Sequence, residues 1–235
     1  MIAVIDYGMG NLRSVHKGCE RVGLPARITS DPDDLRSAGA LILPGVGAFG
    51  AATANLRQAG LFDVILAEVA AGKPLLGICL GMQLLFEVSH EDGLHRGLGL
   101  LEGQVRRLPS GVKVPHMGWN SLEFTRPSPL WDGLAPGSYV YFVHSFYADP
   151  ASADDVIAAA THGISFAAAV QRGLVYGTQF HPEKSSANGL AILAAFGRAA
   201  GYGDRIRVSA ATSPGSGPAS AFGADQPAGR REPGR

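Results

Sequence analysis

Over the first third of the chain, short runs of consecutive apolar residues alternate with stretches in which apolar residues recur every three or four positions. A run apolar on both faces reads as a buried strand of a parallel sheet, and a three-to-four spacing reads as a helix with one buried face. Ile2 to Ile5, Pro25 to Thr29 and Ala40 to Leu43 are the first three strands on this reading. Leu12, Val15 and Cys19 share one face of a helix that Asn11 can cap and Gly23 stops. Ser30 or Asp31 is placed to cap a brief helix before Gly39, and helical stretches follow through Leu56 and from about Leu61 to Ala70. Lys73-Pro74-Leu75-Leu76 reads as a fourth buried strand. Leu84-Leu85-Phe86-Glu87 is expected to prolong the helix that begins after it. This alternation predicts an α/β fold whose central sheet is covered by helices on both faces.

The pattern then changes. Gly97 to Leu108, Trp119 to Phe124, Tyr139 to His144, Val156 to Ala160, Ile164 to Gln171 and Val175 to Phe180 read as strands parted by turns rich in Gly, Pro and Ser. They predict an antiparallel extension, so the whole sheet is expected to be mixed but mostly parallel. Ser185 or Ser186 can cap a last helix with Leu190, Leu193 and Phe196 on one face. From Gly203 the apolar periodicity stops, which divides the chain into a domain over 1–202 and a tail over 203–235 expected to be disordered.

Composition narrows the function classes. The 235 residues are 46% hydrophobic, enough for a core, and 20 basic residues balance 20 acidic ones. A zero formal charge gives no field for nucleic acid or an anionic membrane surface. Two cysteines cannot make a disulfide framework, and no basic n-region or membrane-length apolar run is visible. A soluble, cytoplasmic protein is the expectation.

The chemistry centres on Gly77-Ile78-Cys79-Leu80-Gly81-Met82-Gln83, between the fourth strand and its helix. Glycines on either side of a cysteine at a strand-to-helix turn match the nucleophile elbow of G-x-S-x-G hydrolases. The turn lifts Cys79 out of the sheet toward a helix N-terminus and aims the Leu80 N–H where an oxyanion forms. The bland alternative is a small buried hydrophobe. Gly177-Thr178-Gln179-Phe180-His181-Pro182-Glu183 follows another strand, so His181 can serve as base and Glu183 can orient it. Zinc ligation by Cys79, His181 and Glu183 ranks below this, because short-range ligand pairs are missing. Pro44-Gly45-Val46-Gly47 ends a neighbouring strand, and a backbone N–H from Gly45, Val46 or Gly47 can join that of Leu80. No Gly-Lys-Ser/Thr follows it, which excludes a P-loop. Gln83 lies one helical turn beyond Cys79 on the same face.

The elbow together with Phe180-His181-Pro182-Glu183 resembles the class I, or triad, glutamine amidotransferases. Ile5 to Val15, Leu43 to Phe49, Val114 to Asn120, Tyr141 to Tyr147 and Lys184-Ser185 are similar to one branch of them, the glutaminase subunits of imidazole glycerol phosphate synthase. The resemblance covers residues 1 to about 200. It implies that glutamine is hydrolysed to glutamate and ammonia through a thioester on Cys79, with no cofactor and no metal. The ammonia would pass to a cyclase subunit, a heterodimer partner, which makes imidazole glycerol phosphate and aminoimidazole carboxamide ribotide in histidine biosynthesis. The resemblance further implies glutamine contacts from Gln83, Glu91 and the backbone of Ser145 and Phe146. It places His116, Trp119, Asn120 and Lys184 at the cyclase interface, where the first three read as exposed. The Gly45-Val46-Gly47 backbone could withhold its N–H until the partner is loaded. Three alternatives stay open: a glutaminase of another synthase such as that of pyridoxal phosphate, a cysteine peptidase on a similar sheet, and a non-catalytic glutamine-binding module.

Overall fold

The computed structural model describes residues 1–207. β1 (Ile2–Ile5), β2 (Ala26–Thr29), β3 (Ala40–Gly45) and β4 (Leu75–Cys79) form where the apolar runs predict them. They are connected by α1 (Leu12–Arg21), α2 (Pro32–Ser37), α3 (Phe49–Gln58) and α4 (Phe62–Ala70). Every residue of β1, β3 and β4 is buried. Alternate side chains of one strand serve two cores, because the strand period is two. Ile2 and Val4 pack with Val15 and Cys19 of α1, whereas Ala3 and Ile5 pack with Leu35 of α2, Phe49 and Leu56 of α3 and Ile65 of α4. Asp31 is the residue that caps α2, its carboxylate accepting the Asp33 N–H at 2.8 Å.

Past β4 the chain departs from expectation. The helix there, α5 (Leu80–Gln83), is a single turn, and Phe86–Ser89 is a strand, β5, rather than its continuation. Leu84, Leu85 and Phe86 are all fully buried, so this run has no one-sided helical face. Their carbonyls accept N–H groups from Leu98 to Leu101 instead of those one turn onward. Pairing with a distant segment overrides the local helical preference.

β6 (His95–Arg96), β7 (Leu101–Arg107), β8 (His116–Ser121), β9 (Glu123–Phe124), β10 (Tyr139–His144) and β11 (Phe146–Pro150) follow. β12 (Val156–His162), β13 (Ile164–Arg172), β14 (Val175–Thr178) and α6 (Ser186–Ala199) complete the secondary structure. Among the described residues the main sheet has eight strands in the order β2-β1-β3-β4-β14-β13-β12-β9. Neighbours from β2 through β14 are parallel and the rest are antiparallel, giving the mixed sheet and its extension. The extension comprises β13, β12 and β9 only. β8 and β10 form a separate two-stranded ribbon, and β11, β7, β5 and β6 a separate small sheet.

α6 covers the α1 side of the main sheet with Ile192, Leu193 and Phe196. Of the expected tail, residues 203–207 are described: a 3-10 turn at Gly203–Arg205 and an Arg207 N–H on the Val22 carbonyl. The remainder, 208–235, lies outside the described residues. Among the described residues no helix is long and apolar enough to cross a membrane.

The strand order has a functional consequence. β4 lies between β3 and β14, with Gly45 opposite Cys79 and Thr178 opposite Ile78. The loops leaving these three parallel strands therefore meet at one carboxyl edge, where open α/β sheets bind ligands.

Candidate active site

Cys79 ends β4 and begins α5 with φ 56° and ψ −111°. A non-glycine residue at positive φ is strained and persists only where its surroundings enforce it. Gly77 and Gly81 do the enforcing. A Cβ on Gly77 would stand 2.6 Å from the Gly81 carbonyl oxygen, and one on Gly81 would overlap the Leu43 carbonyl of β3. This is the elbow the sequence predicts. Because α5 is one turn long, its dipole supports the sulfur less than a full helix would. Behind the turn, the buried Tyr7 hydroxyl donates to the Pro44 carbonyl at 2.8 Å and steadies the end of β3.

His181 arrives by a different route. After β14 the chain turns onto the β8–β10 ribbon, where the His181 N–H donates to the Tyr141 carbonyl at 2.9 Å. The Ser185 hydroxyl accepts the Tyr141 N–H at 2.9 Å and donates to the His181 carbonyl at 2.6 Å. Ser185 does precede α6, but its hydroxyl is committed here and makes no helix cap. A 3-10 turn at Pro182–Lys184 then folds Glu183 back, with its Oε1 2.8 Å from His181 Nδ1 and the two side chains 1% and 2% exposed. A carboxylate only accepts, so Nδ1 carries a hydrogen in either charge state, and Nε2 is the atom that takes and gives up the second proton. Asn11 Nδ2 donates to the same Oε1 at 3.4 Å instead of capping α1. Among the described residues, His181 Nε2 and Glu183 Oε2 have no hydrogen-bond partner. Burial lowers the His181 pKa, but the adjacent Cys79 and then Glu183 outweigh it and bring the imidazole up to about 9.

A cleft of about 340 Å³ opens over Cys79 and His181. Val46, Gly47, Leu80, Gln83, Glu91, Ser145 and Phe146, all singled out in the sequence, line it together. Gly45 lies beneath, paired with Cys79 in the sheet, and Glu183 stands behind His181. Gly47 has φ 102°, a conformation reserved for glycine, at the bend that turns β3 toward α3. Glu91 is half-buried rather than freely solvated, one oxygen accepting the Phe49 N–H at the start of α3 at 2.7 Å. Gln83 Nε2 lies 2.9 Å from the Phe146 carbonyl and 3.1 Å from Gln179 Oε1.

Gln179 is the residue that sequence reading missed. It is fully buried, and its Nε2 is 3.8 Å from Cys79 Sγ. Its place two residues before His181 on the strand exit was the available signal. His116 requires a correction: expected at an exposed partner face, it is 5% exposed and stacked between His162 at 4.2 Å and Phe142 at 4.8 Å. Strand alternation is the reason, because Met117 and Trp119 point outward and their neighbours His116, Gly118 and Asn120 point away from that side. Trp119 is 45% exposed, its ring against Tyr141 at 6.1 Å, and the exposed Lys184 holds its Nζ 5.9 Å over the same tyrosine ring. Asn120 is half-buried. Among the described residues no group of three or more His, Cys, Asp or Glu side chains is arranged to hold a metal.

The class-I glutamine amidotransferase family model matches residues 3–199. Imidazole glycerol phosphate synthase subunit HisH from Moorella thermoacetica is 53% identical over 189 residues, 80% of this chain and 90% of the relative. The subunit of the same name from Syntrophotalea carbinolica is 52% identical over 197 residues, 81% of this chain and 96% of the relative. Among solved structures, a glutamine amidotransferase superposes with a TM-score of 0.69 at 23% identity, over 86% of this chain and 100% of that one. PurLQS from Thermotoga maritima superposes with a TM-score of 0.69 at 20% identity, over 84% and 97%. The last two establish shared fold; the first three establish descent, and the chain belongs to the class-I glutamine amidotransferases, in the branch of imidazole glycerol phosphate synthase HisH subunits.

Proposed function

We propose that the chain is the glutaminase subunit of an imidazole glycerol phosphate synthase and supplies ammonia to a cyclase partner in histidine biosynthesis. The observation that carries the chemistry is the buried Cys79–His181–Glu183 arrangement at the floor of a cleft fitted with acceptors and donors for an amino acid. His181 Nε2 takes the thiol proton while Sγ attacks the glutamine amide carbon, forming a tetrahedral oxyanion. The Leu80 N–H and an N–H from Gly45 to Gly47 receive that charge. As the C–N bond breaks, His181 returns the proton to nitrogen and ammonia departs, leaving a thioester on Cys79. Water then adds with His181 as base and glutamate leaves. Glu91 faces the substrate ammonium, and the Ser145–Phe146 backbone its carboxylate.

The cyclase is proposed to cover the exposed aromatic face of the β8–β10 ribbon, around Trp119 and Lys184. Rigid aromatic side chains beside a charged one suit an interface anchor. The test is glutamate release from glutamine by the purified chain, alone and with its cyclase and nucleotide, with Cys79→Ala as blank. Release that depends on the loaded cyclase and vanishes in the variant is expected. Release unaffected by cyclase would refute the partner, and no release under any condition would refute the glutaminase.

A further inference from the structure

The His116 side chain, displaced from the role first expected of it, is the middle of a buried chain of hydrogen bonds. His144 Nδ1 lies 2.9 Å from the Phe146 carbonyl, which can only accept, so Nδ1 carries the hydrogen. His144 Nε2 therefore has the lone pair, and His116 Nδ1, 2.9 Å away, donates to it. His116 Nε2 in turn accepts from Asn120 Nδ2 at 3.3 Å. Asn120 cannot turn its amide around, because its Oδ1 accepts the Ser121 N–H at 2.9 Å while Nδ2 also donates to the Thr161 carbonyl at 2.9 Å. One end of the chain thus fixes every proton along it. The other end is the substrate cleft: Phe146 carbonyl also accepts from Gln83, and Gln83 reaches Gln179 and through it Cys79 Sγ. The preceding peptide is pinned as well, with the Ser145 carbonyl accepting the Leu108 N–H at 2.9 Å.

We infer that His144 is a positioning residue, held neutral and in its Nδ1–H tautomer by His116 and Asn120, that sets the Ser145–Phe146 backbone to receive the glutamine carboxylate. Free neutral histidine does not impose this tautomer; its ring takes the form its partners dictate. With His116 removed, only the Phe146 carbonyl still favours Nδ1–H, and in the fraction of molecules whose proton moves to Nε2 two lone pairs face each other across that contact. The Ser145–Phe146 backbone is then held less firmly, and the substrate cradle loosens with it. Burial lowers the pKa of both imidazoles, to about 4 for His116 and about 3 for His144, in keeping with neutral rings throughout the working range.

The proposal deepens the glutaminase reading, and two measurements separate their failures. In the full chain labelled with ¹⁵N-histidine, long-range proton–nitrogen spectra at pH 7 are expected to show His116 and His144 both as Nδ1–H tautomers. Either ring as Nε2–H overturns the proposal, whatever the enzyme does. In the cyclase complex, His116→Leu is expected to raise KM for glutamine about tenfold with a smaller change in kcat, the loss of about one hydrogen bond's worth of positioning. His116→Asn puts an amide N–H near the place of Nδ1–H and is expected to restore most of that KM. A fall in kcat at unchanged KM, or a folded His116→Asn no better than His116→Leu, overturns the proposal. If His116→Leu does not fold, the wild-type spectrum and the KM of His116→Asn decide it.

Discussion

Replacing Glu183 by Gln removes a charge while keeping a shape. Asn11 Nδ2 stands 3.4 Å from Oε1, so an amide at position 183 turns its oxygen toward Asn11 and the His181 Nδ1–H and its NH₂ the other way. The tautomer survives, and only the attraction between carboxylate and imidazolium is lost. At 2.8 Å, with side chains 1% and 2% exposed, solvent screens that attraction little. Coulomb's law gives about 6 kcal/mol at an effective dielectric of 20, an upper bound from which the cost of desolvating both groups must be subtracted. A neighbouring opposite charge typically moves a pKa by about 1–3 units, which is about 1.4–4 kcal/mol. In the proposed mechanism the imidazolium forms when Cys79 is deprotonated and again when water adds to the thioester, so kcat carries the loss. Glu183→Gln is expected to lower kcat of the assembled enzyme about 10- to 1,000-fold by that arithmetic. KM for glutamine should change little, because Glu183 does not line the cleft.

Stability carries the same signature. The folded-state pKa of His181 is raised from 6.5 to about 9, so folding favours the protonated ring. That contribution is complete below pH 6.5 and disappears as pH rises through about 9. Urea midpoints of the wild type are expected to fall across this window, and those of Glu183→Gln to fall less. A variant with wild-type kcat, or one with an undiminished slope between pH 6.5 and 9, would refute the electrostatic argument.

Two further outcomes follow from close packing and from burial. Gly81→Ala places a Cβ on the Leu43 carbonyl, so β3 and the elbow must part. A loss of about 1–3 kcal/mol in urea unfolding is expected, and undiminished stability would mean the turn is looser than described. For acid, burial lowers the pKa of His116 to about 4 and of His144 to about 3, favouring neutral rings in the folded chain. Above pH 6.5 both states are neutral and the rings contribute no pH dependence; as pH falls from 6.5 toward 4 only the unfolded chain gains these protons and stability drops. Unfolding midpoints of wild type and His116→Asn, measured at steps across that interval, should converge as the pH falls, and parallel curves would sink this account.

How much of this was legible in the sequence depended on whether a local rule was sufficient. β1, β3 and β4 read correctly because strands buried on both faces are runs of apolar residues, and nothing distant is needed to recognise them. The elbow was legible because Gly77 and Gly81 are demanded by backbone contacts that tolerate no side chain. Leu84 to Phe86 misled because a run buried on all sides suits a helix or a strand alike, and only its pairing with Leu98 to Leu101 decides. His116, Trp119 and Asn120 form one exposed set in the sequence reading, although neighbours and residues three apart on a strand face opposite ways; that reading starts the strand at Trp119, three residues late, so the alternation does not reach His116. Gln179 lay inside a recognised motif, but its contact with Cys79 depends on the adjacency of β4 and β14, which no local signal records.

That adjacency supplies one wall of the cleft, and the other wall is built on weaker support. Val143 and His144 end β10, Ser145 links them to Phe146 at the head of β11, and His181 hangs from Tyr141 of β10. A two-stranded ribbon is marginal by itself. Its inner face packs Val140 and Phe142 into the core, and the bonds from Asn120 through His116 to His144 run across that face, joining β8 to the end of β10. Its outer face carries Trp119 against Tyr141, so whatever binds there presses on the strand that holds His181 and leads into Ser145 and Phe146. The main sheet thus presents Cys79, while His181 and part of the cleft lining hang from a ribbon that packs Val140 and Phe142 into the core and carries the His116–His144 bond across its inner face. Substitutions on the ribbon should consequently act on KM, on the placing of His181 and on partner response more than on the geometry of Cys79, which is set by Gly77, Gly81 and β3.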